Sequence, residues 1–240
     1  MTEAGRPFAL VPAAGGGSRF GGTAPKQYAD LAGWPLLART LDRLVSALAP
    51  VTIVVLLAPD DAFYDTLIGA RPDVEALRCG GDTRAETVAN GLSALSTRCR
   101  DGDWILIHDA ARPCVPVEAV LRLVAELSND DVGGLLAIPL ADTLKRDDGK
   151  TPARVLRTED RAGSWQAQTP QMFRYGILRA AYALPGALAA TDEAQAVEAL
   201  AITGVCASPR LVTGSAQNVK VTYPADLALA AAVLELQAGP

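Results

Sequence analysis

The sequence predicts a single α/β domain built around a mostly parallel β-sheet. Apolar runs of strand length, rich in Val, Leu and Ile, alternate along the chain with segments whose apolar residues have helical spacing. The apolar runs are continuous rather than alternating, which is typical of strands buried on both faces of a parallel sheet. The chain has 240 residues, 50% of them hydrophobic, so one large domain can bury a sizeable core.

The elements follow one another as in βαβ units, which join parallel strands by right-handed crossovers. Four strands are predicted: "FALVP" (8–12), "VTIVVLLAP" (51–59), "WILIHDA" (104–110) and "GGLLAIPL" (133–140). Helices are predicted for "PLLARTLDRLVSAL" (35–48), where Pro35 suits a first helical turn, and for "RAETVANGLSAL" (84–95) and "VEAVLRLVAEL" (117–127). Towards the C-terminus, helices are predicted for "GILRAAYAL" (176–184), "TDEAQAVEAL" (191–200) and "PADLALAAAVLEL" (224–236), and edge strands for "GVCAS" (204–208) and "NVKVT" (218–222). A sheet of this kind binds ligands at the carboxyl ends of its strands.

One polar segment interrupts this alternation between Ala141 and Arg161. "ADTLKRDDGKTPARVLRTEDR" carries a turn signal near its centre, Asp148-Gly149, between two short flanks. The segment therefore predicts a β-hairpin that projects from the domain. An ordinary solvent-exposed insertion is the alternative that the pattern alone leaves open.

Composition and charge argue against several classes of protein. The net charge of −5 opposes a general binder of nucleic acid or of anionic membranes, although it is compatible with a local basic pocket. No apolar run reaches the length of a membrane span, and the N-terminal residues lack a long apolar signal core, so we expect a cytoplasmic protein. The four cysteines form no CxxC pair and we expect them to be reduced, and with a single histidine, His108, no His/Cys metal cluster is expected.

The first predicted strand runs into a glycine turn, "VPAAGGGSRFGGTAPKQY" (11–28), which places Arg19 and Lys26 on its far side. Glycines let the backbone approach an anion, and the amides of such turns form anion-binding nests. The dinucleotide pattern GxGxxG fails at Phe20, and the phosphate loop GxxxxGK[ST] fails because Gly22 and Thr23 stand where lysine is required. A planar guanidinium and a compact ammonium can together clamp a polyphosphate. Two solvated surface cations are the alternative for this loop by itself.

Further motifs follow the glycine turn: "CGGDTRAETVANGL" (79–92), "WILIHDAARPCV" (104–115), "ADTLKR" (141–146), "TEDRAGSWQAQTPQMF" (158–173), "ATDEA" (190–194) and "NVKVT". Together they resemble the 2-C-methyl-D-erythritol 4-phosphate cytidylyltransferases of the non-mevalonate isoprenoid pathway, from about Phe8 to about Leu236. The resemblance implies one Rossmann-like nucleotidyltransferase domain over residues 1–240, with a dimerisation arm at about 141–161. It also implies a reaction in which the substrate's phosphate attacks the α-phosphorus of CTP and expels pyrophosphate, with Mg²⁺ carried on the triphosphate. A homodimer clasped by its arms is implied as well.

The resemblance also assigns roles to individual residues. Those that match catalytic positions are Arg19 and Lys26, on the triphosphate, and Arg161 and Lys220, on the incoming phosphate. Those that match CTP-binding positions are Pro12, Ala13, Ala14, Gly15, Gly81, Asp82, Thr87 and Ala110. Those that match substrate-binding positions are Asp109, Arg112, Thr143, Thr169 and Thr191, with Asp109 also a candidate metal contact.

Several of these residues have structural alternatives. Asp82 can be a helix-capping residue, with Thr83 or Thr87 helping to cap or orient the same helix, and Thr191 can be the N-cap of the helix that follows it. His108, beside Asp109, is expected to be structural.

Other functions are compatible with parts of the pattern. A related cytidylyltransferase for another polyol phosphate, such as ribitol 5-phosphate, is the nearest alternative, but its family tends towards "LAGG" and "HDSVRP" where this chain has "PAAG" and "HDAARP". Sugar-1-phosphate nucleotidyltransferases share the glycine loop but lack "DTLKR" and "WQAQTPQ". A catalytically silent CTP-binding regulator is an alternative of another class, and the four cations argue against it.

Overall fold

The computed structural model describes residues 7–16, 20 and 24–239 of the chain. Its strands are β1 (Pro7–Pro12), β2 (Asp30–Leu31), β3 (Trp34–Pro35), β4 (Thr52–Leu56), β5 (Val74–Leu77), β6 (Trp104–Ile107), β7 (Gly133–Pro139), β8 (Leu144–Asp147), β9 (Val155–Glu159), β10 (Trp165–Arg174) and β11 (Arg210–Thr213). Its α-helices are α1 (Leu36–Leu48), α2 (Tyr64–Leu67), α3 (Arg84–Ala94), α4 (Val117–Leu127), α5 (Tyr175–Tyr182), α6 (Glu193–Ile202) and α7 (Asp226–Ala238). Short 3₁₀ turns lie at Lys26–Tyr28 and Ala187–Ala189.

Within the described residues, seven strands form one sheet in the order β11-β7-β10-β6-β1-β4-β5. Strand β10 is antiparallel to its two neighbours, and the other pairings in this sheet are parallel. The predicted α/β fold with a mostly parallel sheet is therefore confirmed. The chain leaves β1 towards β4 and β5, and then β6 returns to the other side of β1. This reversal opens a crevice at the carboxyl ends of β1 and β6, where such sheets bind their ligands.

Strand β1 shows why its apolar run is continuous. Ala9 and Val11 belong to a core cluster on one face of the sheet, and Phe8 and Leu10 belong to a cluster on the other. Helices α1 and α4 cover the first face with Leu41, Leu44, Val120 and Leu123, and helices α3, α5 and α6 cover the second with Val88, Leu178 and Val197. In the part of the chain that the structure describes, no helix is both long and apolar enough to cross a bilayer.

The predicted edge strands at 204–208 and 218–222 are wrong. Gly204 adopts a φ of 81° at the end of α6, and the edge beside β7 is instead formed by β11. Residues 218–222 cross the carboxyl ends of the strands, where the amide of Val221 donates to the carbonyl of Ala111 at 2.8 Å rather than to a ladder partner. Strands β5 and β10 lie outside the predicted strands. Strand β10 was not predicted because its glutamines interrupt the run of apolar residues.

The predicted hairpin at 141–161 is confirmed. Strands β8 and β9 pair antiparallel, from Leu144 opposite Glu159, and form a two-stranded sheet separate from the central one. Gly149 takes a φ of 68° in the loop between them, a conformation that glycine adopts without strain. Val155 and Leu156 are 64% and 59% exposed, so the hairpin buries little apolar surface.

Candidate active site

The crevice between the ends of β1 and β6 is a cleft with a volume of about 590 Å³. Its walls are the turn after β1, the turn that leads into α3, the turn after β6 and residues from the segment 220–222. Among the described residues, eleven that the sequence predicted line this cleft: Pro12, Ala13, Ala14, Gly15, Lys26, Gly81, Asp82, Thr87, Asp109, Ala110 and Lys220. Arg19 lies outside the described residues. The structure thus brings most of the predicted site together.

The turn after β1 is held against the sheet at its first residues. The amide of Ala13 donates to the carbonyl of Leu56 at 2.8 Å, and the side chain of Gln27 donates to the carbonyl of Ala13 at 2.6 Å. Gly80 packs so closely here that an added Cβ would lie 2.2 Å from the Cβ of Ala14. A glycine at position 80 therefore lets the two glycine turns meet and present their backbones to one cleft.

The second turn ends in the capped start of α3. Thr83 is the N-cap, and its hydroxyl accepts from the amide of Glu86 at 3.1 Å, while the carboxylate of Glu86 accepts from the amide of Asp82 at 2.9 Å. The hydroxyl of Thr87 accepts from the amide of Gly81 at 3.1 Å. The helix-capping interpretation of Asp82 is therefore wrong, because Thr83 is the residue directly before the first helical turn. The side chain of Asp82 is exposed and faces the cleft.

Two lysines from distant parts of the chain line the same cleft. The ammonium of Lys26 donates to the carbonyl oxygen of Val221 at 2.8 Å, which places it beside the backbone of Lys220. The ammonium of Lys220 forms an ion pair with Oδ2 of Asp109 at 2.7 Å, and its side chain is 42% exposed. Both positive charges can therefore reach an anion in the cleft.

Asp109 is the centre of a cluster of charges. Arg84 donates from Nε to its Oδ1 at 2.9 Å, Lys220 contacts its Oδ2, and the Nε of Arg112 lies 3.7 Å from Oδ2. Burial alone would raise the pKa of Asp109, but the charges of Arg84, Lys220 and Arg112 hold it well below its usual range. Glu193, which contacts Arg84 at 2.7 Å, supplies the second carboxylate of the cluster. Three cations face two carboxylates, so the cluster keeps a surplus positive charge that favours an anionic ligand.

His108 and Thr169 support the turn after β6, which carries Asp109, on the side away from the cleft. The hydroxyl of Thr169 accepts from the amide of Asp109 at 3.0 Å and lies 3.1 Å from Nδ1 of His108. Nε2 of His108 lies 3.0 Å from the carbonyl of Arg112. His108 is fully buried, and burial lowers its pKa to about 4. The structural interpretation of His108 is confirmed, and Thr169 lies behind Asp109 rather than on the cleft wall.

Three of the predicted substrate contacts lie away from the cleft. Thr143 and Arg161 are exposed at the base of the hairpin, where Nη1 of Arg161 donates to the carbonyl of Leu140 at 3.1 Å. Thr191 is exposed and donates from its hydroxyl to Gln195 at 3.0 Å. The interpretation of Thr191 as the N-cap of α6 is wrong, because Asp192 directly precedes the helix and accepts from the amide of Gln195 at 2.9 Å.

The residues of the cleft do not fit a protein-held metal ion. Both carboxylate oxygens of Asp109 already accept hydrogen bonds from cations, at 2.9 Å from Arg84 and 2.7 Å from Lys220. Within the described residues there is no group of three or more His, Cys, Asp or Glu side chains that could ligate a metal. The carboxylate of Asp109 is therefore engaged by cations of the protein itself.

Two residues of the charge cluster, Arg84 and Glu193, were not among the predicted site residues. Arg84 lines the cleft, and Glu193 lies wholly buried behind it. A cation at the first position of a helix is unfavourable because it opposes the helix dipole. Arg84 stands at that position of α3, so the sequence alone could have indicated a role for it other than helix stability. Nothing in the sequence singled out Glu193, because an acidic residue is favourable at the start of a helix.

A mostly parallel sheet with a cation-lined cleft at its strand ends is typical of α/β enzymes that bind phosphorylated ligands. Comparison with known proteins narrows this class to the nucleotidyltransferases. The profile of the 2-C-methyl-D-erythritol 4-phosphate cytidylyltransferase family matches residues 8–236. The chain therefore belongs to this family.

Individual relatives agree with that assignment. The chain is 52% identical over 233 residues to the 2-C-methyl-D-erythritol 4-phosphate cytidylyltransferase of Dechloromonas aromatica, covering 95% of this chain and 97% of that one. It is 54% identical over 232 residues to that of Laribacter hongkongensis, covering 96% and 97%. A solved 4-diphosphocytidyl-2C-methyl-D-erythritol synthase superposes with a TM-score of 0.83 at 40% identity, covering 96% of this chain and 99% of the other.

Proposed function

We propose that this protein transfers CMP from CTP to 2-C-methyl-D-erythritol 4-phosphate, giving 4-diphosphocytidyl-2-C-methyl-D-erythritol and pyrophosphate. A phosphate oxygen of the polyol phosphate attacks the α-phosphorus of CTP, and the bond from that phosphorus to the bridging oxygen of pyrophosphate breaks. The observation that carries the proposal is the cleft in which two glycine turns and the cations Lys26, Arg84 and Lys220 converge, in a chain of this family.

The chemistry of the cleft suits this reaction because no strong general base is required. A phosphate monoester is already anionic, so catalysis depends on positioning and on stabilising charge at phosphorus. Asp109 is ionised and held by cations, and His108 is buried behind the loop, so neither is placed to remove a proton from a substrate in the cleft. Lys26, together with Arg19 from the same glycine-rich segment, would stabilise the charge that develops on the triphosphate.

We assign the two sides of the cleft to the two substrates. The glycine turns and Ala110 would hold CTP, because fixed backbone donors and acceptors discriminate one base from another. The side of the cleft with Asp109, Arg112 and Lys220 would hold the polyol phosphate, since the surplus positive charge lies there. Magnesium would arrive bound to the phosphate oxygens of CTP and not to a protein carboxylate.

A homodimer clasped through the hairpin completes the proposal. Val155 and Leu156 on β9 are largely exposed in one subunit, and an isolated two-stranded hairpin is marginal in water. Packing against a second copy would bury these side chains. It would also carry Thr143 and Arg161, which lie away from the cleft of their own subunit, to the cleft of the partner. A cytoplasmic location stays a prediction from the sequence.

Pyrophosphate release tests the function directly. Pure protein is incubated with CTP, Mg²⁺ and one polyol phosphate at a time, with ribitol 5-phosphate as the matched control. We expect turnover with 2-C-methyl-D-erythritol 4-phosphate and little with ribitol 5-phosphate. A preference for ribitol 5-phosphate would contradict the substrate assignment. CTP binding without turnover on any polyol phosphate would favour the regulator.

A further inference from the structure

A single guanidinium joins two helix starts to the cleft. Arg84 is the first residue of α3, and Glu193 is the first residue of α6. Nη1 and Nη2 of Arg84 donate to the two carboxylate oxygens of Glu193 at 2.7 and 3.0 Å, and Nε donates to Oδ1 of Asp109 at 2.9 Å. Glu193 is therefore linked to Asp109 through one side chain whose three donor nitrogens are all engaged.

Glu193 contacts Arg84 from a site with no exposure to solvent. Its Oε1 also accepts from the hydroxyl of Tyr182 at 3.3 Å, so this carboxylate is fixed on both sides. Arg84 itself is only partly buried, with 27% of its side chain exposed towards the cleft. A buried ion pair is a weak source of stability relative to apolar residues of similar volume, so stability alone is a poor explanation of this one.

The docking of α6 has anchors other than this ion pair. The side chain of Gln171 on β10 accepts from the amide of Ala194 at 2.8 Å and donates to the carboxylate of Asp192 at 2.9 Å. Val197 and Leu200 of the same helix are buried in the core. The contact between Glu193 and Arg84 is therefore one of several that place α6 on the sheet, and through Arg84 it reaches the cleft.

The contact of Arg84 with Oδ1 of Asp109 also determines where Oδ2, the second oxygen of this carboxylate, points. With Oδ1 held by Arg84, Oδ2 points to the ammonium of Lys220 at 2.7 Å and to Arg112 at 3.7 Å. Rotation of the Asp109 carboxylate would break both arrangements at once. The orientation of Lys220 in the cleft thus depends on a chain of charges that begins at Glu193.

We propose that Glu193 and Arg84 are positioning residues, in which Glu193 fixes the guanidinium of Arg84 and Arg84 fixes Asp109 in the rotamer that receives Lys220. The inference deepens the proposed function, on which it rests for the identity of the bound phosphate. Glu193 is wholly buried and does not line the cleft, whereas Arg84 does, so an effect of Glu193 on a bound substrate would pass through Arg84. Arg84→Lys keeps the charge but loses the fork that bridges both carboxylates.

Kinetics of Glu193→Gln and Arg84→Lys test this positioning. Because small misplacements of binding groups can lower rates by about 10²-fold, we expect kcat/KM for the polyol phosphate to fall roughly 10- to 100-fold in Glu193→Gln, with KM for CTP changed by less than about twofold. Arg84→Lys should lower kcat/KM for the polyol phosphate to a similar extent. A loss that falls equally on both substrates, or no loss, would overturn the proposal.

Leu200→Ala is the matched control, because it loosens the same helix without removing a charge. Assayed well below its melting temperature, it should keep both KM values near those of the unaltered protein. If Leu200→Ala raises KM for the polyol phosphate as Glu193→Gln does, the effect is one of helix packing and the proposal fails.

Crystal structures of the variants separate this inference from the proposed function. In Glu193→Gln we expect Lys220 to leave hydrogen-bond distance of Asp109, whereas in Leu200→Ala the contact should persist. An unchanged Asp109–Lys220 contact in Glu193→Gln overturns the positioning role, whether or not the protein turns over any substrate. Turnover by the unaltered protein, in contrast, tests the proposed function alone.

Discussion

The ammonium of Lys220 lies 2.7 Å from Oδ2 of Asp109, which joins the end of the β6 loop to the segment that crosses the strand ends near the C-terminus. Asp109 is 7% exposed and its carboxylate also faces Arg84 and Arg112. The same carboxylate therefore orients a cleft lysine and partly balances the charge of the three cations around it.

Asp109→Asn should lower the stability of the protein as well as its activity. Removing one partner of a buried ion cluster leaves uncompensated charge, so we expect the free energy of unfolding in urea to fall by about 3 kcal/mol. Asp65→Asn is the control, because Asp65 pairs with Arg78 while 75% exposed, and loss of such a pair should change stability by less than about 1 kcal/mol. Equal, small losses in the two variants would argue against a buried cluster.

The sequence predicted the central fold because burial on both faces leaves continuous apolar runs, as in β1 and β6. It did not predict β10, whose glutamines make buried side-chain hydrogen bonds that no periodicity reveals. Gln168 bonds Ser215 and Asn218, and Gln171 bonds Asp192 and Ala194. The residues of the cleft were assigned by the family resemblance, whose motifs include both glycine turns. Glu193 was not, because its partner Arg84 is distant in sequence and an acid at a helix start needs no partner.

The imidazole of His108, the single histidine of the chain, should stay neutral at pH values well below those at which a histidine ordinarily takes up a proton. His108 is buried and its pKa is lowered from 6.5 to about 4 by burial, so the unfolded chain binds a proton between these pH values that the folded protein does not. The contribution of His108 to the free energy of unfolding should therefore be constant above pH 6.5. It should fall by about 3 kcal/mol as the pH drops from 6.5 to 4. Because His108 is the only histidine in the sequence, its imidazole signal in an NMR titration can be assigned directly.

The NMR titration and urea unfolding should agree. His108→Asn should flatten the pH dependence of unfolding between pH 6.5 and 4.5, leaving the loss below pH 4 that depressed carboxylates such as Asp109 produce. An imidazole that titrates near pH 6.5 in the folded protein would show that the ring is accessible and would contradict its burial.

Lys26→Ala and Arg19→Ala should each lower turnover by roughly 10²- to 10³-fold while the fold survives, since single groups that stabilise transition-state charge have effects of this size. Turnover is followed by pyrophosphate release and folding by circular dichroism. Arg179→Ala is a control on the far side of the molecule, where Arg179 pairs with Asp101 at 61% exposure, and it should leave turnover unchanged. Near-normal turnover in both Lys26→Ala and Arg19→Ala would remove these residues from the chemistry.

Arg161→Ala and Lys220→Ala should weaken the reaction of the polyol phosphate while leaving CTP binding nearly intact. Lys220 lies on the Asp109 side of the cleft, and Arg161 lies on the hairpin, away from the glycine turns. Calorimetric titration with CTP measures the affinity directly, with Lys26→Ala as the variant expected to lose it. A large loss of CTP affinity in both Arg161→Ala and Lys220→Ala would place these two residues on the other ligand.

Mixing Lys26→Ala protein with Arg161→Ala protein should restore activity if two subunits share each site. Lys26 lines the cleft of its own subunit, whereas Arg161 lies exposed at the base of the hairpin, so a mixed dimer would assemble one intact site from the unaltered residues of both chains. The two variants are unfolded and refolded together so that the subunits exchange, and each refolded alone is the control. We expect activity in the mixture approaching a quarter of the unaltered level, because half of the dimers are mixed and each holds one intact site of two. Light scattering at the assay concentration should give the mass of a dimer. A fully active monomer would overturn the dimer itself, and a dimer without restored activity would contradict the sharing of sites between subunits.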